Sequence, residues 1–340
     1  MKKQIIFTVI FIIFASALYG QSVAAVSYVD GWVDIKDSSG KVFEAYIGDD
    51  LFPGNSVITG KGSYAELLEK SGSTYKVSPN TVFTVREMES NGKKESVLAV
   101  TIGEVAFKFN KVAGTESMIA THSTVAGVRG TEFIVYSGSD GSSLIAVTQG
   151  LVEVEASGKS VSLNPDEAVE VKPGSPPGPK IQLLGRSLDF SKWNEDKKQD
   201  FLNNPVEALK AVDMRLDYYN AKVQEIYPVF LEMLENVYKA KAELNRIYKE
   251  QGEAASAKYD DTVFRPLTLN AAYTSLNLRY YALSALSMRR YIVGNMYAEI
   301  KSRYITKLND PVFIEFNSLY KEVLKKFEEI SIPQINETDI

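Results

Sequence analysis

Side chains able to do chemistry are scarce in this sequence. Across 340 residues there is one histidine, His122, and no cysteine. Thiol catalysis, zinc held by thiolates, iron–sulfur clusters and acylation of an N-terminal cysteine are therefore excluded. Most histidine-based catalytic and metal sites go with them. His122 could bind a metal, but with no second histidine and no cysteine it reads as a strand or turn residue. The acidic clusters Asp49-Asp50, Asp140 and Asp260-Asp261 lack the ligand spacing of a calcium loop and read as solvated turns. No G-x-S-x-G, phosphate loop or H-E-x-x-H is present. Two carboxylates could still meet in space as they do in glycoside hydrolases, but nothing singles out a pair. The expectation is no enzyme, no cofactor and no metal site.

Composition bounds the partners. The chain is 45% apolar and 24% charged, an ordinary globular balance. Its length allows roughly two domains. With 38 basic and 43 acidic residues the net charge is -5, which makes no broad case for nucleic acid. The acidity is concentrated in residues 21–175, with 13 basic and 20 acidic side chains. The start of the chain is an address. Met1-Lys2-Lys3 precedes an apolar run over 5–15, and Ala15, Ala17 and Gly20 follow. That order reads as a signal peptide over 1–20, with an uncleaved membrane anchor as the alternative. Membrane contact is expected only through this segment, if it stays uncleaved. The remainder is expected outside a bacterial cytoplasm, periplasmic or associated with the outer envelope.

The chain changes character near residue 175. Before it, short alternating apolar runs are separated by glycine turns, the mark of an all-β domain over 22–172. Asn91-Gly92 and Asp140-Gly141 read as two-residue hairpins. A short pattern recurs: Gly31-Trp32-Val33-Asp34-Ile35, Gly103-Glu104-Val105-Ala106-Phe107 and Gly150-Leu151-Val152-Glu153-Val154. A glycine opens a turn, and two alternate apolar side chains then face one core. The unequal spacing predicts a roll or irregular β-solenoid. Four prolines between 173 and 179 predict a stiff linker over 173–189. After it, apolar steps of three and four predict an all-α helical bundle over 190–332, with a tail at 333–340. Pro228 should kink or split the first long helix. A third helical stretch is expected over 267–308, and a fourth begins at Pro311 with Asn309-Asp310 as its cap. Phe190 and Trp193 should anchor the start of the helices.

Two stretches of the β half are more distinctive. The first, over 47–67, contains Gly48, Asp49, Gly54, Gly60, Gly62, Ser63, Ala65 and Glu66. The second, over 119–135, contains Ala126, Gly127, Val128, Arg129, Gly130, Thr131 and Phe133, and Pro79 lies between the two. Their ordered combination resembles the FecR domain, a periplasmic β-domain of bacteria, over about residues 22–172. The helical half shows no such resemblance. Read as residues, the motifs are mostly structural: glycines for tight turns, and Asp49 and Asn55 as acceptors for nearby amides. Arg129 could cap carbonyls or pair with Glu132; the functional alternative is capture of an anion or iron chelate.

The resemblance implies a sensor that passes an outer-membrane signal to a cytoplasmic sigma factor across one membrane span. Only Met1-Lys2-Lys3-Gln4 precedes the apolar stretch, so no anti-sigma segment is expected here. The expected function is a non-catalytic envelope protein that binds another envelope component. The alternative is a periplasmic ligand sensor serving a separate transmembrane partner, and an envelope hydrolase stands third. In the helical half, Tyr280, Tyr281, Arg289, Arg290 and Tyr291 form a candidate interaction face, with helix-core packing as the plainer reading.

Overall fold

Alternating valine, isoleucine and phenylalanine make strands because every second side chain then reaches one core. A computed structural model describes residues 21–90, 93–110, 117–186 and 188–328. The expected signal segment, the Asn91-Gly92 turn and the tail lie outside the described residues. The strands are β1 (Ala24–Asp30), β2 (Val33–Lys36), β3 (Val42–Glu44), β4 (Asp50–Leu51), β5 (Ser56–Thr59) and β6 (Tyr64–Leu68). They continue as β7 (Thr74–Val77), β8 (Val82–Ser90), β9 (Lys93–Lys108), β10 (Ser117–Ala120), β11 (Val125–Val128) and β12 (Glu132–Ser137). The last are β13 (Ser143–Gln149), β14 (Val152–Ala156), β15 (Lys159–Leu163), β16 (Glu167–Val171) and β17 (Lys180–Gln182).

Their pairing makes two layers. One runs β4-β1-β6-β7-β9-β12-β13-β16-β17. The other runs β3-β2-β5-β8-β9-β10-β11-β14-β15. Pairing is antiparallel except between β9 and β10. The core lies between the layers, with Leu67, Tyr75, Phe107, Phe133 and Val169 from one and Val33, Val57, Phe83, Leu98 and Val154 from the other. Strand β9 belongs to both. Its first part pairs with β8 and β10, and its last residues pair with β7 and β12.

The recurring glycine pattern marks where the chain passes between layers. Gly31, Gly103 and Gly150 all have positive φ, at 77°, 100° and 87°. The apolar pairs that follow them, Val33 and Ile35, Val105 and Phe107, Val152 and Val154, all enter the core. A hydroxyl side chain secures two of the crossings. Ser63 Oγ accepts from Trp32 N at 2.8 Å, and Thr81 Oγ1 accepts from Glu104 N at 3.0 Å.

The helical region comprises α1 (Phe190–Asn203), α2 (Pro205–Gln251), α3 (Glu253–Tyr259), α4 (Arg265–Met288), α5 (Gly294–Arg303) and α6 (Pro311–Lys326). Asp310 caps α6 as expected, accepting from Val312 N at 2.9 Å. Four expectations are refined. Asp140-Gly141 is not a two-residue hairpin: Ser137 pairs with Ser143, and Gly138 N donates to Ser142 O at 2.8 Å. Asp140 favours this wider turn by accepting from Ser142 N at 2.9 Å. The proline-rich segment, expected as a stiff linker over 173–189, is tied to the sheet within that span. Gly178 N bonds Glu170 O at 2.9 Å, and β17 then adds to β16 as an edge strand. The four prolines all precede β17, so the strand itself keeps every backbone donor. Finally, Pro228 does not split the first long helix: α2 continues through it as one helix. Val223 and Phe230 on either side pack with Leu278 and Ala282, which offsets the one bond the proline removes. The third helical stretch also starts earlier, at Glu253. Two π turns, Asp260–Phe264 and Arg289–Val293, join α3, α4 and α5.

Candidate functional site

Phe83 and Val85 of β8 face the core, so Arg86 and Met88 face outward. An arginine there would ordinarily meet solvent. Instead α4 lies across the strand. Tyr280 is buried against Val97, Ala99 and Ala120 of β9 and β10. Asn277 brackets Glu89, accepting from its amide at 2.8 Å and donating to its carboxylate at 3.2 Å. Arg86 Nη1 donates to Ser284 Oγ. Helix α2 closes the other side of this seam. Arg215 Nε donates to the His122 carbonyl at 2.8 Å and Tyr219 Oη donates to it at 3.3 Å. The Arg215 guanidinium lies 4.7 Å and 4.8 Å from the ring centroids of Tyr218 and Tyr219.

His122 sits in the β10–β11 turn. The turn is tied by Thr121 N to Thr124 O at 2.9 Å and by Ser143 Oγ to Thr121 Oγ1 at 2.6 Å. The His122 side chain is 3% exposed and its Nε2 has no partner. Burial, then the charges of Arg86 and Arg215, hold its pKa down at about 3, so the ring is neutral at neutral pH. The unfolded histidine titrates near 6.5 and binds a proton that the fold refuses. Stability is therefore full above that pH and falls as pH drops toward 3, by roughly 1 kcal/mol per unit for this group. Urea unfolding between pH 7 and pH 5 should show the slope, and His122→Asn should flatten it. An identical slope in the variant would remove His122 as its source.

The residues singled out in the sequence fall in different places. Gly48, Gly54, Gly62 and Gly130 occupy turns with positive φ. Asp49 accepts from Tyr46 N at 2.8 Å and Asn55 from Phe52 N at 3.0 Å, as expected of turn residues. Gly60 lies under the Trp32 ring. Ala65, Ala126, Val128 and Phe133 are core residues. Thr131 is buried, and Gly127 lies between Ala126 and Val128 on β11. Glu66 pairs with Lys76 at 3.1 Å on the surface, and the Pro79 carbonyl accepts from Thr81 Oγ1.

Arg129 does not pair with Glu132, which meets Lys108 at 3.7 Å. Val128 points inward at the end of β11, so Arg129 turns to solvent. Arg129→Ala is expected to change stability by no more than about 0.5 kcal/mol. A melting temperature many degrees lower would contradict that placement. The tyrosine–arginine face is also revised. Tyr280 is buried in the seam and Tyr281 half-buried beside it, because α4 uses them to cover the sheet. Only Arg290 of that set is exposed, 5.4 Å from the half-buried Tyr291 ring.

Arg86 and Arg215 were not singled out by sequence. Arg215 carried a signal, since it lies on the inward stripe of Val212, Leu216 and Tyr219. Arg86 carried none, because only tertiary packing covers its face. Phe190 and Trp193 of α1 do anchor the helices. Phe190 stacks on Tyr136 at 5.3 Å, and Trp193 Nε1 donates to Glu170 at 3.1 Å.

A two-layered β region capped by helices is thus the frame of this protein. Residues 55–153, from β5 into β14, match the family described as FecR protein. The chain carries a FecR domain there. Among solved structures it is similar to a proposed anti-sigma factor from Parabacteroides distasonis, at 19% identity and a TM-score of 0.33. The likeness covers 37% of this chain and 59% of that one. A second structure described in the same words shows 18% identity, the same coverage and a TM-score of 0.32. A cell surface anchoring domain is similar at 21% identity over 18% of this chain and 83% of its own, with a TM-score of 0.18. No curated protein matches the chain in sequence.

Proposed function

We propose that this chain is a non-catalytic protein of the bacterial envelope whose β region, an irregular roll, acts as a protein-interaction module. The observation that carries this reading is the exposed aromatic end of the layers. Trp32, Phe43, Tyr46 and Ile47 are 58%, 40%, 60% and 68% exposed, on or beside β2 and the edge strand β3. The helices pack elsewhere, on β8–β10 and on the outer side of β12, β13 and β16. Large apolar side chains gathered at one uncovered end are how proteins present a partner surface. A photo-crosslinking residue at Phe43 or Ile47 should capture one defined envelope protein in the native cell envelope. The same residue at Glu153, away from that end, should not. Equal labelling at all three positions would reject the reading.

The second reading, a ligand sensor serving a separate membrane partner, draws on the seam. Arg86 and Arg215 lie where the β region meets the helices, so an occupant there would act on the docking of one part upon the other.

A further inference from the structure

The seam brings together two guanidinium groups, and the carboxylate nearest along the strand, Glu89, is bonded to Asn277. Among the described residues neither Arg86 nor Arg215 has an acidic partner. Arg86 bonds the neutral Ser284, and Arg215 bonds the His122 carbonyl and lies against two tyrosine rings. Buried charges are ordinarily paired, because removing an ion from water costs more than ring contacts and a neutral acceptor return. Arg215 is 7% exposed. Each guanidinium carries five donors, so most of the seam's donors remain without a charged acceptor. His122 adds the second, independent sign: a ring 97% buried with Nε2 unpartnered. The Tyr280 hydroxyl feels the charge of both arginines. Arg86 as a whole residue is half-buried.

We infer that the seam between the β region and the helices is a binding site for a small oxyanion, a carboxylate or a phosphate, held by Arg86 and Arg215. A planar guanidinium fork matches either group, and bonds to an ionised acceptor are the strong ones. The anion would supply the negative charge that the protein leaves out. This site is separate from the exposed aromatic end, and it gives the sensor reading a ligand class.

The test is isothermal titration of the full chain at constant ionic strength with inorganic phosphate, acetate and citrate, with chloride as control. Saturable binding of phosphate alone assigns a phosphate site, and of the carboxylates alone a carboxylate site. Arg86→Gln and Arg215→Gln should each weaken it about tenfold or more. Arg86→Lys keeps the charge without the fork and guards against a variant that fails to fold. The bound anion should also raise the wild-type melting temperature with concentration, and do so less in Arg86→Lys. No saturable binding, an equal response to chloride, or unchanged affinity in folded variants would overturn the inference. Binding with unaltered amide exchange around Tyr280 would uphold the site and reject the sensor.

Discussion

Replacing Phe107 with alanine should lower the unfolding free energy by about 3–5 kcal/mol. Phe107 lies on the last part of β9, 1% exposed. Its ring centroid is 5.2 Å from Phe133, 5.4 Å from Tyr75 and 5.9 Å from Phe109. Phe83, of the other layer, lies 6.3 Å away. One side chain therefore joins β7, β8, β9 and β12. Truncation leaves a void that four fixed strands cannot close, so the loss of apolar burial and the cavity both count. Typical domain stabilities are about 5–15 kcal/mol, so the variant should be near the edge of folding. Urea unfolding followed by far-ultraviolet circular dichroism measures the difference. Phe43→Ala, at the exposed edge, is the control and should cost much less. A loss below about 1 kcal/mol for Phe107→Ala would contradict this packing.

The second large effect is expected from Gly103→Ala. At φ 100° a side chain is strained wherever it points. Here the added Cβ would also sit 2.3 Å from Thr81 Oγ1 and 2.6 Å from Thr81 Cα. The strain alone is about 1–3 kcal/mol. The clash adds to it, because the obstacle includes backbone that β8 and β9 hold in place. We expect a total of about 3 kcal/mol or more. Thr81→Ala removes the hydroxyl but not Thr81 Cα, so the double variant should stay destabilised. Thermal unfolding of the two single variants and the double variant decides the matter. Full rescue by Thr81→Ala would show that the layer crossing at Gly103 is built differently.

Both variants test features that the sequence displayed without locating. The Gly-x-Val pattern at Gly31, Gly103 and Gly150 announced turns followed by core residues, and the turns prove to be crossings between layers. The β-to-α change near residue 175 was legible because the apolar period changes from two to about 3.6. The fourth helix was legible from Asp310 and Pro311, since capping is local chemistry. Pro228 does not split its helix, because the rule against interior proline counts one lost bond and not the packing of Phe230 and Val223. Tyr280 misled for a related reason. A tyrosine on a helix looks alike whether it meets solvent, a partner or the chain's own sheet.

Local rules determined what this chain is made of: a β half rich in glycine turns, a helical half, a FecR-like motif set, and no histidine pair or cysteine to do chemistry. Those properties depend on neighbours within a few residues, and a sequence records neighbours directly. Only the tertiary structure decided that Arg86, His122, Arg215 and Tyr280 meet. They lie up to 194 positions apart in the chain. On β8 the alternation that sends Phe83 and Val85 inward sends Arg86 outward, and it is silent on what covers the outer face. Helix α4 covers it through Asn277, Tyr280 and Ser284, and burial by a distant element is what turns a surface arginine into a site.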